Sequence, residues 1–413
     1  MLRIGLVAGE ASGDYLGAGL IRALREAVGE DEELCFEGVT GPQMRAAGCV
    51  SLESIERLSL MGVTEVINHL PSLFRLRSQL IAHFERQPPD VFVGIDAPDF
   101  NLSLERKLRE RGIRTVHYVS PTVWAWRSGR VRSIARAVTR VLALFPFEVD
   151  IYREAGVDVS YVGHPLGDQI PLEINTGALR RQLGLEVEQP LVAVLPGSRM
   201  SEIRHLGEPF ARTIAWLHRA RPELRFVAPM ADERIRAKFE QALARHAPEV
   251  PVSLVDGNSR ECMGAADAVL LACGTAALEA MLLKRPMVVA YRIGWLTYVL
   301  LKQLRLVRVA YYSMPNLLAD ACAGDRAEAQ SPLNMPLVPE FIQGEVDPGA
   351  MGESVLAMLD DNDRRTGMIE EFDRLHRLLR RDASRQAARA VLQVAREMGE
   401  KKGEPKHESG GRS

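Results

Sequence analysis

The sequence is poor in cysteine and in aromatic residues, and it has neither a long apolar run nor an excess of one charge sign. Its 413 residues include five cysteines, and aromatic residues make up 6%. An odd number of cysteines without a CxxC pair argues against a disulfide framework or a zinc site and fits a reducing compartment. No stretch reaches the ~18 consecutive apolar residues of a membrane span, and the first residues lack the apolar core of a signal peptide. We therefore expect a cytoplasmic protein.

The charge balance excludes general nucleic-acid binding. Lys and Arg total 52 and Asp and Glu total 54, which leaves a net charge of −2 instead of the basic excess that such binders carry. Hydrophobic residues at 46% and charged residues at 26% are typical of a globular protein. At ~100–200 residues per domain, the length indicates two or three domains.

Short apolar runs alternate with helical patterns, which indicates parallel sheets covered by helices on both faces. In the first half, the runs predict strands at Ile4–Ala8, Asp90–Ile95, Thr115–Val119 and Val138–Leu144. After Gly163-His164-Pro165 the pattern restarts, with strands predicted at Leu191–Leu195, Leu224–Ala228, Val252–Val255, Ala268–Leu271 and Pro286–Ala290. Two such series predict an α/β protein with two doubly wound, Rossmann-like domains that face each other across a cleft.

We place the domain boundary near residue 165. Residues 1–165 are assigned to the first domain and 166–347 to the second. The charged, amphipathic helices expected at about 348–398 are assigned to the first domain. Residues 399–413 are polar and glycine-rich, so we expect them to be disordered.

The first strand leads into the segment Gly9-Glu10-Ala11-Ser12-Gly13-Asp14. The carboxyl end of a strand in an open α/β sheet is the usual ligand crevice. Ser12 and Asp14 suit either a helix cap or a hydrogen bond to a ligand. The segment does not match GxGxxG, so a dinucleotide site is not indicated.

Asp96 follows a second apolar strand and precedes the turn at Pro98. A carboxylate at that edge is placed to take a proton from a substrate hydroxyl. Asp99 and Asn101 are better placed to cap the helix that follows.

The third strand ends in a loop that carries Trp124, Trp126 and Arg127. Such side chains suit a sugar or an acyl chain, and packing between domains explains them equally well. His164 lies at the boundary, where a role in the turn is the better interpretation.

Two motifs of the second half predict a nucleotide site. Gly197-Ser198-Arg199 begins a helix, where free N–H groups and a permanent positive charge suit a diphosphate. Gly274 and Thr275 begin a second helix, and Glu279 lies one turn further along, where a carboxylate can accept the hydroxyls of a ribose. Anion donors together with a ribose acceptor indicate a nucleotide.

Two basic amphipathic segments and one asparagine complete the candidate features. Leu70–Phe84 carries Arg75, Arg77 and His83, and Trp295–Val309 carries Lys302, Arg305 and Arg308. Such segments lie either on an anionic membrane surface or in a helix packed on its own protein. Asn316 lies in an apolar turn, where it can orient a donor ligand.

The motifs, taken in order, resemble those of the lipid-A-disaccharide synthase family from about Ile4 to the helices before Gly399. They are VAGEASGD, MGVTEV (Met61–Val66), GIDAPDFN, HYVSPTVWAWR, GHP, LPGSR, GTAALE and SMPNLLA. The first, third and fourth are specific to that enzyme as a set, whereas GSR and GTAALE are shared with other two-domain nucleotide-sugar enzymes. Ala11 replaces a frequent Thr, and the polar tail is extra.

The resemblance implies a GT-B glycosyltransferase without metal or cofactor. It implies transfer of 2,3-diacylglucosamine from UDP to the 6-hydroxyl of 2,3-diacylglucosamine 1-phosphate, with inversion, giving the β-1,6 disaccharide precursor of lipid A and UDP. It also implies a peripheral association with the inner membrane. The oligomeric state stays open, and exchange of C-terminal helices between subunits is one arrangement the sequence permits.

The resemblance also implies roles for individual residues. The donor site would comprise Gly197, Ser198, Arg199, Gly274, Thr275, Glu279 and Asn316. The acceptor side would comprise Gly9, Glu10, Ser12, Asp14, Trp124 and Arg127, with Asp96 as the base. A UDP-sugar epimerase, another UDP-GlcNAc transferase and a carrier of lipids or nucleotide sugars are the alternatives. Acyl-chain length is not specified by the sequence.

Overall fold

The chain folds into two compact units, and the first unit takes residues from both ends of the sequence. A computed structural model describes residues 1–29, 32–59, 66–121, 129–294, 311–323 and 336–401. The first unit comprises Met1–Pro165 and the residues from Arg381 onward, and the second comprises Leu166–Arg380. The first crossing between the units therefore lies where the sequence analysis places the boundary.

The first unit is built on a seven-stranded parallel sheet in the order β3-β2-β1-β4-β5-β6-β7. Its strands are β1 (Leu2–Ala8), β2 (Leu34–Thr40), β3 (Val50–Ser54), β4 (Val91–Ile95), β5 (Thr115–Tyr118), β6 (Arg140–Ala143) and β7 (Asp158–Tyr161). Its helices before the boundary are α1 (Ala11–Val28), α2 (Pro42–Ala46), α3 (Glu56–Ser59), α4 (Val66–Arg86), α5 (Pro98–Arg109), α6 (Gly129–Ala137) and α7 (Glu148–Glu154). Strands β1, β4 and β5 are buried almost throughout, as expected for a sheet covered on both faces.

The second unit repeats the arrangement with six parallel strands in the order β10-β9-β8-β11-β12-β13. Its strands are β8 (Leu191–Leu195), β9 (Arg225–Met230), β10 (Val252–Asp256), β11 (Ala268–Ala272), β12 (Met287–Tyr291) and β13 (Glu340–Ile342). Its helices are α8 (Pro165–Gln169), α9 (Thr176–Gln182), α10 (Met200–Ala220), α11 (Glu233–His246), α12 (Ser259–Ala265), α13 (Thr275–Leu282), α14 (Met314–Ala321), α15 (Pro348–Asp360) and α16 (Asn362–Leu379). The prediction of two doubly wound α/β domains is confirmed.

The last helix, α17 (Ala383–Lys401), belongs to the first unit and packs against α1. Ala387, Val391 and Val394 of α17 are completely buried in the same apolar cluster as Ile4 and Leu6 of β1. The helix runs to Lys401 and so includes residues 399–401, the first three of the polar tail. Residues 402–413 lie outside the described part.

Helices α15 and α16 pack on the second unit, so their assignment to the first domain is wrong. A Cβ on Gly352 of α15 would lie 2.3 Å from the Trp216 ring of α10, which shows how closely these two helices approach. In α16, His376 Nε2 lies 2.9 Å from the carbonyl oxygen of Gly167, and Lys284 Nζ lies 2.7 Å from His376 Nδ1. Amphipathic periodicity identifies the apolar face of a helix but not the sheet it covers, which explains the error.

Candidate functional site

Each sheet has one topological switch point, and candidate residues lie at both of these points. The strand order reverses between β1 and β4 in the first unit and between β8 and β11 in the second. The connections on either side of such a point diverge at the carboxyl ends of the strands and leave a crevice. Gly9 and Asp96 follow β1 and β4, and Arg199 and Gly274 follow β8 and β11.

The backbone is strained around Asp96. Asp96, Ala97 and Val119 have φ angles of 53°, 43° and 81°, which is uncommon for residues with a side chain and a clear outlier for valine. These three residues follow the neighbouring strands β4 and β5, and Asp96 N–H donates to the Tyr118 carbonyl at 2.8 Å. Strain of this kind costs about 1–3 kcal/mol per residue and persists where surrounding contacts enforce it. Surrounding contacts thus fix the backbone that carries the partly buried carboxylate of Asp96.

Gly9 is required by the close approach of this strained loop. A Cβ at Gly9 would lie 2.3 Å from the Cβ of Ala97, so any side chain there would displace the Asp96 loop. Glu10 and Ser12 are exposed beside it, and the Glu10 carbonyl accepts from Asp14 N–H at 2.9 Å. The structure therefore brings Gly9, Glu10 and Ser12 to the same sheet edge as Asp96.

Asn101 holds the Asp96 loop, a role that the sequence analysis missed. Its side-chain nitrogen lies 2.8 Å from the Asp96 carbonyl, 3.3 Å from that of Ile95 and 3.2 Å from that of Val7. The residue is completely buried in α5 and thus joins the ends of β1 and β4. Because Val7 is 94 positions away in sequence, no local pattern reveals this contact. The expected capping role of Asn101 is wrong.

The Asp14 side chain is buried and has a structural role. It is 1% exposed, and its carboxylate accepts N–H groups of Gly41, Gln43 and Met44 at 2.8–3.0 Å. These bonds cap α2, so Asp14 fixes the connection after β2 to α1. Both of its carboxylate oxygens are therefore engaged by the backbone and not by a ligand.

The loop after β5 begins with a buried polar cluster. Ser120 Oγ lies 2.9 Å from Tyr152 Oη, and Glu148 Oε2 accepts from Phe145 N–H at 3.1 Å. Burial raises the pKa of Glu148 to about 7, against the opposing effect of the Phe145 and Ser120 hydrogen bonds. Trp124 and Arg127, further along this loop, lie outside the described residues.

We expect Glu148→Gln to flatten the pH dependence of stability. The folded-state pKa lies above the unfolded value, so the contribution of Glu148 is fully present below about pH 4.5 and is lost as the pH rises through 7. The difference in unfolding free energy between wild type and variant should fall by about 3 kcal/mol at most from pH 4.5 to 8. Urea unfolding across this range measures it. Glu154→Gln, at the exposed end of the same helix, should change nothing, and an unaltered slope for Glu148→Gln would contradict the assignment.

The second unit has a pocket of about 350 Å³ at its switch point. Six predicted donor residues line it: Gly197, Ser198, Arg199, Gly274, Thr275 and Glu279. Met230, Ser259 and Cys273 add further wall from β9, α12 and the end of β11. Motifs that lie 75 residues apart in sequence thus meet in one cavity whose volume falls in the range of ligand sites.

The turn before α10 differs from expectation, because Glu202 occupies its free N–H groups. The Glu202 carboxylate accepts from Ser198 N–H at 2.8 Å and from Arg199 N–H at 3.2 Å. Gly197 has a φ of 125°, and a Cβ there would lie 2.4 Å from Glu202 Cβ. The Arg199 side chain remains 81% exposed, with its nearest guanidinium nitrogen 3.9 Å from Glu202. An anion in this pocket would therefore meet the guanidinium and not these amides.

Helix α13 provides the unoccupied helix start in this pocket. The first N–H groups of a helix have no carbonyl partner within it, and those of α13 follow Gly274 and Thr275 directly. One turn further, Glu279 Oε1 accepts from Arg260 Nη2 at 2.8 Å, with the Glu279 side chain 17% exposed. The pocket thus combines a helix start with free N–H groups, an exposed arginine and a carboxylate held by Arg260.

We expect Gly274→Val to block the pocket without harming the fold. Gly274 has an extended backbone, φ 170°, and no atom lies within 4 Å of a Cβ built there. UDP should therefore bind about tenfold more weakly or worse, a loss of ~1.4 kcal/mol, at an unchanged melting temperature. Gly344→Val, where a Cβ also meets nothing within 4 Å outside the pocket, is the matched control. Calorimetric titration with UDP decides, and unchanged affinity would mean that the nucleotide binds elsewhere.

Asn316 does not line the pocket. It is 1% exposed, its Oδ1 accepts from Val338 N–H at 2.8 Å, and its Nδ2 donates to the Val338 carbonyl and to Glu340 at 2.8 and 2.7 Å. Glu340 also accepts from Tyr312 and Ser313 N–H. Asn316 therefore fixes α14 to β13, and a donor contact from its amide would require these bonds to break.

The described part of the chain contains no group of three or more His, Cys, Asp or Glu side chains able to hold a metal ion. Burial raises the pKa of the Cys273 thiol to about 12, assisted by Glu340 and Glu202. This thiol donates toward the Tyr312 carbonyl at 3.3 Å, which is a structural contact.

The chain matches a family model described as lipid-A-disaccharide synthetase over residues 4–392. Among similar curated proteins, one from Hahella chejuensis is 48% identical over 95% of this chain and 94% of its own length. Another from Alkalilimnicola ehrlichii is 50% identical over 95% of this chain and 99% of its own. Both are named lipid-A-disaccharide synthase.

Similar solved structures extend the comparison of the fold. One, described as a UDP-N-acetylglucosamine 2-epimerase from Listeria monocytogenes, is 12% identical with a TM-score of 0.61, covering 97% of both chains. A glycosyltransferase from Rickettsia africae is 10% identical with a TM-score of 0.58, covering 96% of this chain and 98% of its own. At such identities the likeness concerns the fold alone, which is of the GT-B type.

Proposed function

The chain belongs to the lipid-A-disaccharide synthase family of glycosyltransferases, and we propose that it transfers 2,3-diacylglucosamine from UDP to 2,3-diacylglucosamine 1-phosphate. The acceptor would react through its 6-hydroxyl, giving the β-1,6 disaccharide 1-phosphate and UDP. In this proposal, the first unit supplies Asp96, the base that acts on the acceptor hydroxyl, and the second unit holds the donor nucleotide.

One observation carries the donor assignment: Arg199, the start of α13 and Glu279 line a single pocket. A helix N-terminus and a guanidinium are the two groups that proteins most often use for a diphosphate. A carboxylate beyond them suits the paired hydroxyls of a ribose. Glu279 is oriented for this by Arg260. The pocket therefore favours a nucleoside diphosphate, and UDP is the one that the family implies.

The mechanism we propose is a single displacement with inversion, because the donor is α-linked and the product β-linked. Asp96 would accept the proton of the acceptor hydroxyl as its oxygen attacks the anomeric carbon and the bond to UDP breaks. Arg199 and the first N–H groups of α13 would stabilise the negative charge that develops on UDP. Asn101 would hold Asp96 in place through the backbone.

Because both substrates carry acyl chains, we propose that the protein works at the surface of the inner membrane. No helix in the described ranges is long and apolar enough to cross a bilayer. On α4, Phe74 is 57% exposed and Arg75 is exposed beside it, whereas Arg77 packs on the Phe100 ring with its guanidinium carbon 5.1 Å from the centroid. His83 Nε2 lies 3.1 Å from Glu37, so two of the three basic side chains predicted to form this face contact the protein.

The second basic segment offers a membrane prediction, although Lys302, Arg305 and Arg308 lie outside the described residues. Replacing all three by Gln should weaken flotation with vesicles containing phosphatidylglycerol, since each basic residue near an anionic surface contributes about 1 kcal/mol. The triple variant Arg219→Gln, Arg234→Gln, Arg245→Gln removes the same charge from exposed positions elsewhere. Equal flotation of the two triple variants would remove this segment from the proposal.

The function is tested by incubating the purified protein with both lipid substrates and following products by mass spectrometry. We expect UDP and disaccharide 1-phosphate to form together, and only when the acceptor is present. UDP-sugar isomerisation without acceptor would indicate an epimerase. Tight donor binding without UDP release would indicate a carrier.

A further inference from the structure

A second cavity, of about 390 Å³, lies in the second unit beside α10. Four basic side chains line it: Arg204, His205, Arg212 and Arg292. One acid, Glu208, shares the wall with two prolines and a valine. A cavity with this ratio of charges is unusual in a chain whose net charge is −2, and it creates a local positive potential.

Two of the arginines have no neutralising partner among the described residues. Within that part of the chain, the guanidinium groups of Arg204 and Arg292 take part in no hydrogen bond or ion pair. Glu208 lies 3.8 Å from both Arg212 Nη1 and His246 Nε2, so its charge is already shared. Guanidinium groups carry a permanent charge and planar donors that match phosphate oxygens. Two of them facing one cavity suit a ligand with two negative charges.

The cavity lies at the functional edge of the sheet but is separate from the nucleotide pocket. Arg292 directly follows β12, and Arg204 lies in the second turn of α10, whose first turn lines the nucleotide pocket with Glu202. The two cavities have no lining residue in common. Ligands of α/β sheets bind outside the carboxyl ends of the strands, and both cavities have that position.

We propose that this cavity binds the phosphate monoester of a glycosyl phosphate. A monoester at neutral pH carries nearly two negative charges, which matches Arg204 and Arg292, whereas the phosphodiester of a lipid headgroup carries one. The mainly polar wall suits a sugar phosphate and not an acyl chain. The binding itself is independent of the proposed function; only the identity of the ligand as the acceptor's 1-phosphate rests on it.

The test is calorimetric titration of the full chain with glucosamine 1-phosphate and with inorganic phosphate, in the presence of saturating UDP so that the nucleotide pocket is filled. Arg204→Gln/Arg292→Gln should weaken binding of glucosamine 1-phosphate by about tenfold or more, because charge-assisted hydrogen bonds are lost. Both side chains are exposed, so the fold should be unchanged. Arg234→Gln/Arg245→Gln, which removes the same charge from α11, should bind as wild type does.

Three results from the binding experiments would overturn the proposal. The first is an equal loss of glucosamine 1-phosphate affinity in the two double variants, and the second is competition of glucosamine 1-phosphate with UDP. The third is that Arg204→Gln/Arg292→Gln loses flotation with phosphatidylglycerol vesicles but binds glucosamine 1-phosphate as wild type does. The last result would assign the cavity to a membrane headgroup. Disaccharide synthesis without this binding would refute the inference and leave the proposed function intact. Binding of glucosamine 1-phosphate without disaccharide synthesis would support the inference and refute the proposed function.

Discussion

Replacing Asp96 by asparagine is expected to lower kcat by ~10²–10⁴-fold, the usual contribution of a general base. Asparagine is also among the residues that best tolerate a left-handed backbone, which this position adopts with φ 53°. The variant should therefore fold as wild type does and keep the Asn101 contact to its carbonyl. UDP affinity should be unchanged, because the nucleotide pocket is lined by residues of the second unit.

The control for this experiment is Asp99→Asn, three positions after Asp96. Asp99 is exposed in the first turn of α5, so this change removes the same charge at the same edge of the sheet. Turnover should stay within about threefold of wild type, the range of a modest electrostatic change. Near-normal turnover of Asp96→Asn in steady-state assays would eliminate Asp96 as the base.

The second large effect is expected at Arg199. Its exposed guanidinium lines the same pocket as the start of α13. Arg199→Gln should therefore lower kcat by ~10²–10³-fold, as for loss of one group that stabilises developing charge. UDP should bind about tenfold more weakly. Arg199→Lys keeps the charge but not the planar pair of donors, so its kcat should lie between wild type and Arg199→Gln.

Stopped assays of disaccharide formation and calorimetric titration with UDP measure these two effects separately. Arg234→Gln, an exposed change on α11, is the control for lost positive charge. A value of kcat/KM within threefold of wild type for Arg199→Gln would show that leaving-group charge is stabilised by other residues.

Most of the strands that sequence reasoning finds are buried on both faces, although it also finds the edge strand β10, which is only partly buried. β1, β4, β8 and β11 have continuous apolar runs, and each is predicted within two residues at either end. β2 was missed because Glu37 interrupts its apolar pattern. That glutamate is 8% exposed and lies 3.0 Å from Arg3 and 3.1 Å from His83. A charge buried by partners distant in sequence cannot be distinguished from an exposed one by periodicity.

The candidate site shows the same limit. The donor motifs could be predicted because a turn, a helix start and a carboxylate are local features, and the structure brings them together. The Glu202 contact also had a local signal, since a glutamate three residues after a helix start is typical of a capping box. Asp14 and Asn316 had none, because their partners lie 22 or more residues away, and the contact of Asn101 with Val7 spans 94 residues. Their roles emerge only from tertiary structure.

The first unit is formed by two separate stretches of the sequence, and this affects its folding during synthesis on the ribosome. Its sheet emerges first, yet the helix that covers α1 is made last, after the whole second unit. Residues 166–380 can complete their fold while the earlier unit still presents the apolar surface that Ala387, Val391 and Val394 later bury. That surface is open to chaperones and to aggregation until residues 383–401 have left the ribosome. A stop codon shortly after residue 380 would thus damage the half of the protein that was translated first.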